Sequence, residues 1–117
     1  MIKLERKKIN LLIDFDSTFI KGETLDLLSE ISLKKHNNKT TLINQISDIT
    51  SKAMSGKIPF HTALEKRINL LNAHQNDIAL VIDKIYKQIT DSFMLNKEFF
   101  KFNFNRCFII SGGFTEI

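Results

Sequence analysis

An apolar run that ends in two carboxylates limits what this chain can fold into more than any other feature. Ile9-Asn10-Leu11-Leu12-Ile13 reads as a short strand, and Asp14-Phe15-Asp16 follows it directly. Near-continuous apolar runs of this kind are typical of parallel sheets buried under helices on both faces. A second run, Cys107-Phe108-Ile109-Ile110, closes on Ser111-Gly112-Gly113. The chain between them has helical periodicity, and a crossover between parallel strands needs only about a dozen residues. The excess predicts an α/β fold in which a helical bundle is inserted into a core of parallel strands. The expected boundaries are 1–22 and 101–117 for the core and 23–100 for the helical insertion.

Within the insertion, Gly22 breaks the strand pattern, and Leu25, Leu28 and Ile31 then recur at helical spacing. His36-Asn37-Asn38-Lys39 is a polar turn. Leu42, Ile46, Ile49 and Ala53 share one face of a second helix, which Gly56 stops from the position of a C-terminal glycine. Pro59 suits the first turn of a third helix, carrying Phe60, Leu64, Ile68 and Leu71. Asn76 and Asp77 offer caps for a fourth, with Ile78, Val81, Ile82, Ile85 and Ile89. A last helix is expected from near Ser92 to Phe100.

Charge and cysteine content narrow the function. The net charge is +4, but the basic residues are dispersed, and the densest group, Arg6-Lys7-Lys8, reads as a solvated N-terminal tail. With neither an aromatic stacking platform nor a recognisable recognition helix, no nucleic-acid partner is expected. A basic surface equally attracts small phosphorylated substrates. Cys107 is the one cysteine, so no intrachain disulfide can form, which suits a reducing compartment. Its apolar neighbours predict a buried, inert thiol. The Ile9–Ile13 run is too short to span a membrane or to serve as a signal core. No membrane partner and a cytoplasmic location are therefore expected.

The chemistry lies at the strand ends. Residues i and i+2 of a strand point to one face, so Asp14 and Asp16 can converge on one site, at the end where open α/β sheets bind ligands. Two carboxylates there repel unless a cation sits between them or one holds a proton. A hard divalent ion such as Mg²⁺ fits best. Beside a phosphate, one Asp could attack phosphorus, and the other could protonate the leaving oxygen and later activate water. Asp-x-Asp alone is equally compatible with a turn in which both acids are solvated or cap a helix. Ser111-Gly112-Gly113 could offer a hydroxyl and bare N–H groups to phosphate oxygens, with glycine allowing close approach, or could be a plain turn. Arg67 interrupts an apolar helix stripe, either as a snorkelling arginine or as a clamp for a carboxylate or phosphate. Glu23 either stabilises a helix N-terminus or binds a substrate amine. Ser17 and Thr18 are expected to satisfy the turn. His36, His61 and His74 show no ligand spacing.

These segments resemble a known family. "DFDST" followed by Glu23 looks like the first motif of the haloacid dehalogenase (HAD) superfamily, in its phosphoserine phosphatase branch. "MSGKIPFHTALEKRINLL", residues 54–71, is similar to the helical cap of that branch, and "ISGGF", residues 110–114, looks like the second superfamily motif. The resemblance implies a partial HAD-like Rossmannoid core with an inserted helical cap. It implies a Mg²⁺-dependent phosphomonoester hydrolase acting on phosphoserine through an aspartyl phosphate. Asp14 would be nucleophile and Mg²⁺ ligand. Asp16 would be general acid/base, with its main-chain carbonyl on the metal. Ser111 and Gly112 would bind the phosphoryl group. Glu23 and Arg67 would hold the amino and carboxylate ends of the substrate, and Met54 and Phe60 would line the cap side of the pocket.

Family members continue past the second motif to a lysine that steadies phosphate and nucleophile and to a Gly-Asp-x-x-x-Asp loop that completes the metal site. Neither motif is found in these 117 residues. The expectation is therefore an N-terminal fragment, a truncated product or one half of a split enzyme, with the C-terminal half as a partner and little activity alone. The alternative is a non-catalytic remnant or an interaction module using the helical cap.

Overall fold

A computed structural model describes Leu4, residues 9–115 and Ile117. The basic group Arg6-Lys7-Lys8 lies outside the described residues. Strand β1 (Leu11–Asp14) leads into a five-residue π-type turn, Phe15–Phe19. Helices α1 (Thr24–Ser32), α2 (Lys39–Met54), α3 (Phe60–Leu71), α4 (Gln75–Tyr86), α5 (Asp91–Leu95) and α6 (Lys97–Phe102) follow, then a short 3₁₀ turn, Phe104–Arg106, and strand β2 (Cys107–Ile110). The strands pair in parallel, with Leu11 opposite Cys107 and Asp14 opposite Ile110. This is the α/β arrangement expected, with a high helical content.

The strands are less buried than their composition predicts. Ile13 is buried, but Leu12 is 65% exposed, and Phe108, Ile109 and Ile110 are 47–51% exposed. Two strands form the whole sheet among the described residues, so neither strand has neighbours on both sides. Ile13, Cys107 and Ile109 share a face that lines a cavity of about 370 Å³ with Phe93 and Phe100. Leu12, Phe108 and Ile110 share the opposite face.

The chain divides into two compact units, residues 1–25 with 82–117, and residues 26–81. Residues 82–100, expected in the helical insertion, thus join the strands. The reason is a set of long-range ties to the turn after β1. Ile20 and Ile89 form an antiparallel bridge. Thr90 N donates to Phe19 O at 2.9 Å, and Lys21 N donates to Gln88 O at 2.8 Å. Phe19 packs edge-on against Phe93, which packs against Phe100. None of these pairings has a local sequence signal.

In the helical unit, α2 packs on α3, burying Ile46, Ala63 and Leu71. Gly56 adopts φ 73° just past α2, the left-handed conformation expected of a C-terminal glycine. Pro59 is the residue before α3, with extended ψ. Helix α4 starts at Gln75, ahead of the expected caps. Asp77 instead reaches back from the first turn, its Oδ2 accepting from His74 N at 2.9 Å, as in half of a capping box. The last expected helix is two short ones. Asn96 breaks it and donates from Nδ2 to Ser92 O at 2.7 Å, a side-chain bond of the kind that competes with helix.

Candidate active site

β1 ends at Asp14, so Asp16 does not project from the strand as the i, i+2 argument expects. It sits in the turn, which is closed by Ile20 N donating to Phe15 O at 3.1 Å and Ser17 N donating to Gly22 O at 3.0 Å. Ser17 takes φ 57°, left-handed for a residue with a side chain. This turn carries Asp16 to the start of α1. There its Oδ1 accepts from Thr24 N at 2.7 Å and from Thr24 Oγ1 at 2.6 Å. Asp16 is half-buried and Thr24 is 3% exposed. The carboxylate thus caps a helix, one of the alternatives open from sequence, through two hydrogen bonds to Thr24. Both Thr24 donors meet Oδ1, and neither meets Oδ2.

Asp14 is exposed at the strand end. Glu23 is exposed and accepts a hydrogen bond from the Ser17 hydroxyl. The Thr18 carbonyl accepts from Thr90 Oγ1 at 2.6 Å. Ser17 and Thr18 therefore both serve the turn, as expected, although Thr18 does so through its backbone.

The parallel register sets the second wall. Because Ile110 lies opposite Asp14, Ser111 emerges beside Asp14 at the same end of the sheet. Ser111 Oγ accepts from Gly113 N at 3.0 Å, which fixes a tight turn. Gly112 makes no close approach to protein: a Cβ there would meet nothing within 4 Å. The space over its backbone is open. Next to Ser111 lies a cavity of about 450 Å³, lined by Phe15, Phe19, Thr24, Tyr86 and Phe114 among others. Thr24, Tyr86 and Phe114 were not singled out from sequence. Thr24 alone had a signal, its place directly after Glu23 at a helix start.

The remaining site residues belong to the helical unit. Arg67 is half-buried on α3, where Nε donates to Ala63 O at 3.2 Å and Nη1 to Thr50 Oγ1 at 3.3 Å. Its guanidinium is thus braced against α2. Met54, at the end of α2, and Phe60, at the start of α3, are 86% and 65% exposed.

Among the described residues no group of three or more His, Cys, Asp and Glu side chains is placed to hold a metal ion. The oxygen donors at the turn, the Asp14 carboxylate and the Asp16 carbonyl, are of the type that Mg²⁺ prefers, and that ion keeps several waters. The donor chemistry therefore fits. Cys107 is half-buried, less buried than its apolar neighbours predict, and desolvation raises its pKa. No helix among the described residues is long and apolar enough to cross a membrane.

Comparison with known proteins places this geometry in a family. No protein-family model matches the chain. It is 39% identical over 79 residues to a phosphoserine phosphatase of Lactococcus lactis, covering 68% of this chain and 32% of that protein. It is 32% identical over 103 residues to a phosphoserine phosphatase of Campylobacter jejuni, covering 88% and 45%. A crystal structure of a phosphoserine phosphohydrolase-like protein from Francisella tularensis superposes with a TM-score of 0.72 at 31% identity, covering 92% of this chain and 49% of that one. The chain is phosphoserine phosphatase-like, of the HAD superfamily, over the part it shares with them. It spans between a third and a half of the length of these relatives.

The Asp16–Thr24 pairing has a measurable consequence. Thr24→Val keeps the shape and the backbone N–H but removes the hydroxyl donor from a half-buried carboxylate. It is expected to lower stability by about 1–2 kcal/mol, read as a reduced urea midpoint. A midpoint equal to wild type would show that the hydroxyl bond adds nothing net.

Proposed function

We propose that this chain supplies the nucleophile side of a phosphoserine phosphatase-like phosphomonoester hydrolase, converting O-phosphoserine and water to serine and phosphate. The parallel register, which sets Asp14 beside Ser111 at one end of the sheet, carries this reading. An Asp14 oxygen attacks phosphorus as the bond to the serine oxygen breaks, forming an aspartyl phosphate. Asp16, with Oδ1 anchored by Thr24, gives a proton from Oδ2 to the leaving oxygen. It then takes a proton from the water that attacks the same phosphorus, which breaks the Asp14 oxygen–phosphorus bond, frees the Asp14 carboxylate and releases phosphate. The Ser111 hydroxyl and the Gly112 N–H hold phosphoryl oxygens. Glu23 binds the substrate amine, Arg67 binds its carboxylate, and Met54 and Phe60 line the cap side. Mg²⁺, held by the Asp14 carboxylate and the Asp16 carbonyl, would supply positive charge against the phosphoryl oxygens.

Catalysis by the 117 residues alone is expected to be poor. Two oxygen donors are a thin metal site, and phosphoryl transfer depends on dense electrostatic stabilisation. The test compares the isolated chain with a chimera joining it to the part of the Campylobacter relative that it does not match. Phosphate release from phosphoserine is measured with and without Mg²⁺. The isolated chain is expected to turn over at about a hundredth of the chimera's rate or less. Equal rates would show that the chain holds a complete site. No release by either would count against the phosphatase reading.

Arg67→Ala in the chimera is expected to weaken kcat/KM for phosphoserine by about 10–100-fold, the worth of a charge-assisted pair. A simple aryl phosphate, which has no carboxylate, should be affected far less. Equal losses on both substrates would assign Arg67 to bracing α2 against α3.

A further inference from the structure

The register of β1 on β2 sets Asp14 beside Ser111, yet the strands themselves define it weakly. Leu11-Leu12-Ile13 and Cys107-Phe108-Ile109-Ile110 are apolar throughout. Side chains along a strand repeat with period two, so a slip of two residues returns each of them to the same face. Such a slip moves one strand by about 6–7 Å along the other, and it would carry Ser111 that far from Asp14. The strands alone do not choose between these registers.

Two ties at the other end of the sheet do. Asn10 and Arg106 are the residues directly ahead of β1 and β2, and Arg106 Nη1 donates to Asn10 Oδ1 at 3.1 Å. They stand 96 residues apart in sequence, the same separation as Leu11 and Cys107, so this side-chain pair extends the strand register by one position. Asn103 lies just before the 3₁₀ turn that leads into β2 and is 1% exposed. Its Oδ1 accepts from Leu4 N at 3.0 Å, and its Nδ2 donates to Phe99 O at 2.9 Å. Arg106 N in turn donates to Asn103 O at 2.8 Å. Asn103 therefore ties the chain ahead of β1, the end of α6 and the start of β2 to one another. A buried amide is costly unless its hydrogen bonds are made, so it tolerates few partner sets, as a buried asparagine does when it specifies the register of a coiled coil. We propose that Asn103 and Arg106 are positioning residues that set the register of β1 on β2 and thereby hold Asp14 beside Ser111.

The consequence for catalysis rests on the proposed function, whereas the register is read without turnover. In the full chain carrying Cys107→Ser, Leu12→Cys is combined with Phe108→Cys, its register partner, or with Ile110→Cys, which faces it only after a two-residue slip. All three positions are exposed. Disulfide yield under mild oxidation is measured by mass spectrometry. The partner pair is expected to exceed the slipped pair by about tenfold or more, because the diagonal Cα separation of roughly 8 Å is beyond the reach of a disulfide. Adding Asn103→Leu and Arg106→Ala should bring the two yields within about threefold of each other. Arg106→Lys, which keeps a donor for Asn10, should hold the parental ratio. If Asn103→Leu does not fold, Asn10→Ala and Arg106→Ala carry the measurement. Each should lower the ratio, and combining them should add nothing further, since both remove one bond. An unchanged ratio, or an equal fall in both yields, would overturn the proposal, because lost stability favours neither pair. In the chimera, Asn103→Leu with Arg106→Ala is expected to lower kcat for phosphoserine by about a hundredfold with KM nearly unchanged. A shifted register with full turnover would uphold the register role and count against the proposed function.

Discussion

Replacing Asp14 with asparagine in the chimera is expected to lower phosphate release from phosphoserine by about a thousandfold or more, the scale seen when a nucleophile is removed. The amide has the same size and shape but no anionic oxygen to form the covalent intermediate. Folding should not confuse the result. Asp14 is exposed at the end of β1, and β1 pairs with β2 through its backbone, so the melting temperature should match that of the parent. Asp16→Asn offers a useful contrast. Its Oδ1 can still accept from Thr24, so α1 stays capped, while proton transfer is lost. Turnover near the parental rate in Asp14→Asn would remove this residue from the mechanism.

The second large effect concerns stability. Leu28→Ala is expected to cost about 2–5 kcal/mol, the range for truncating a large buried side chain. Leu28 is 1% exposed on α1, the helix whose first residue holds Asp16. A loss there should therefore reach the turn as well as the helix. Leu80→Ala, 53% exposed on α4, is the matched control, expected within about 0.5 kcal/mol of the parent. Urea unfolding of the isolated chain reads both. Similar midpoints for the two variants would mean that α1 contributes little to the folded state, which would contradict the burial of Leu28.

Sequence alone determined the parts of this protein that depend on short-range patterns. The apolar runs at Leu11–Ile13 and Cys107–Ile110 became parallel partners, because continuous apolar strands separated by helical chain have few other solutions. Helices α1 to α3 follow their apolar spacing, and Gly56 closes α2 in the left-handed conformation that glycine tolerates best. The resemblance carried by DFDST, the cap segment and ISGGF holds against relatives of this family. Tertiary structure decided what depends on pairing across the chain. Residues 82–100 join the strands because Ile20 bridges Ile89 and Phe19 meets Phe93, contacts that no local periodicity encodes. Asp16 points at Thr24 because a left-handed Ser17 bends the turn toward α1, whereas strand alternation assigned Asp16 to the face of Asp14. The exposure of Leu12, Phe108 and Ile110 was also hidden from sequence. An apolar residue states its preference for burial, but whether anything covers it depends on which other chain segments the fold brings to that face.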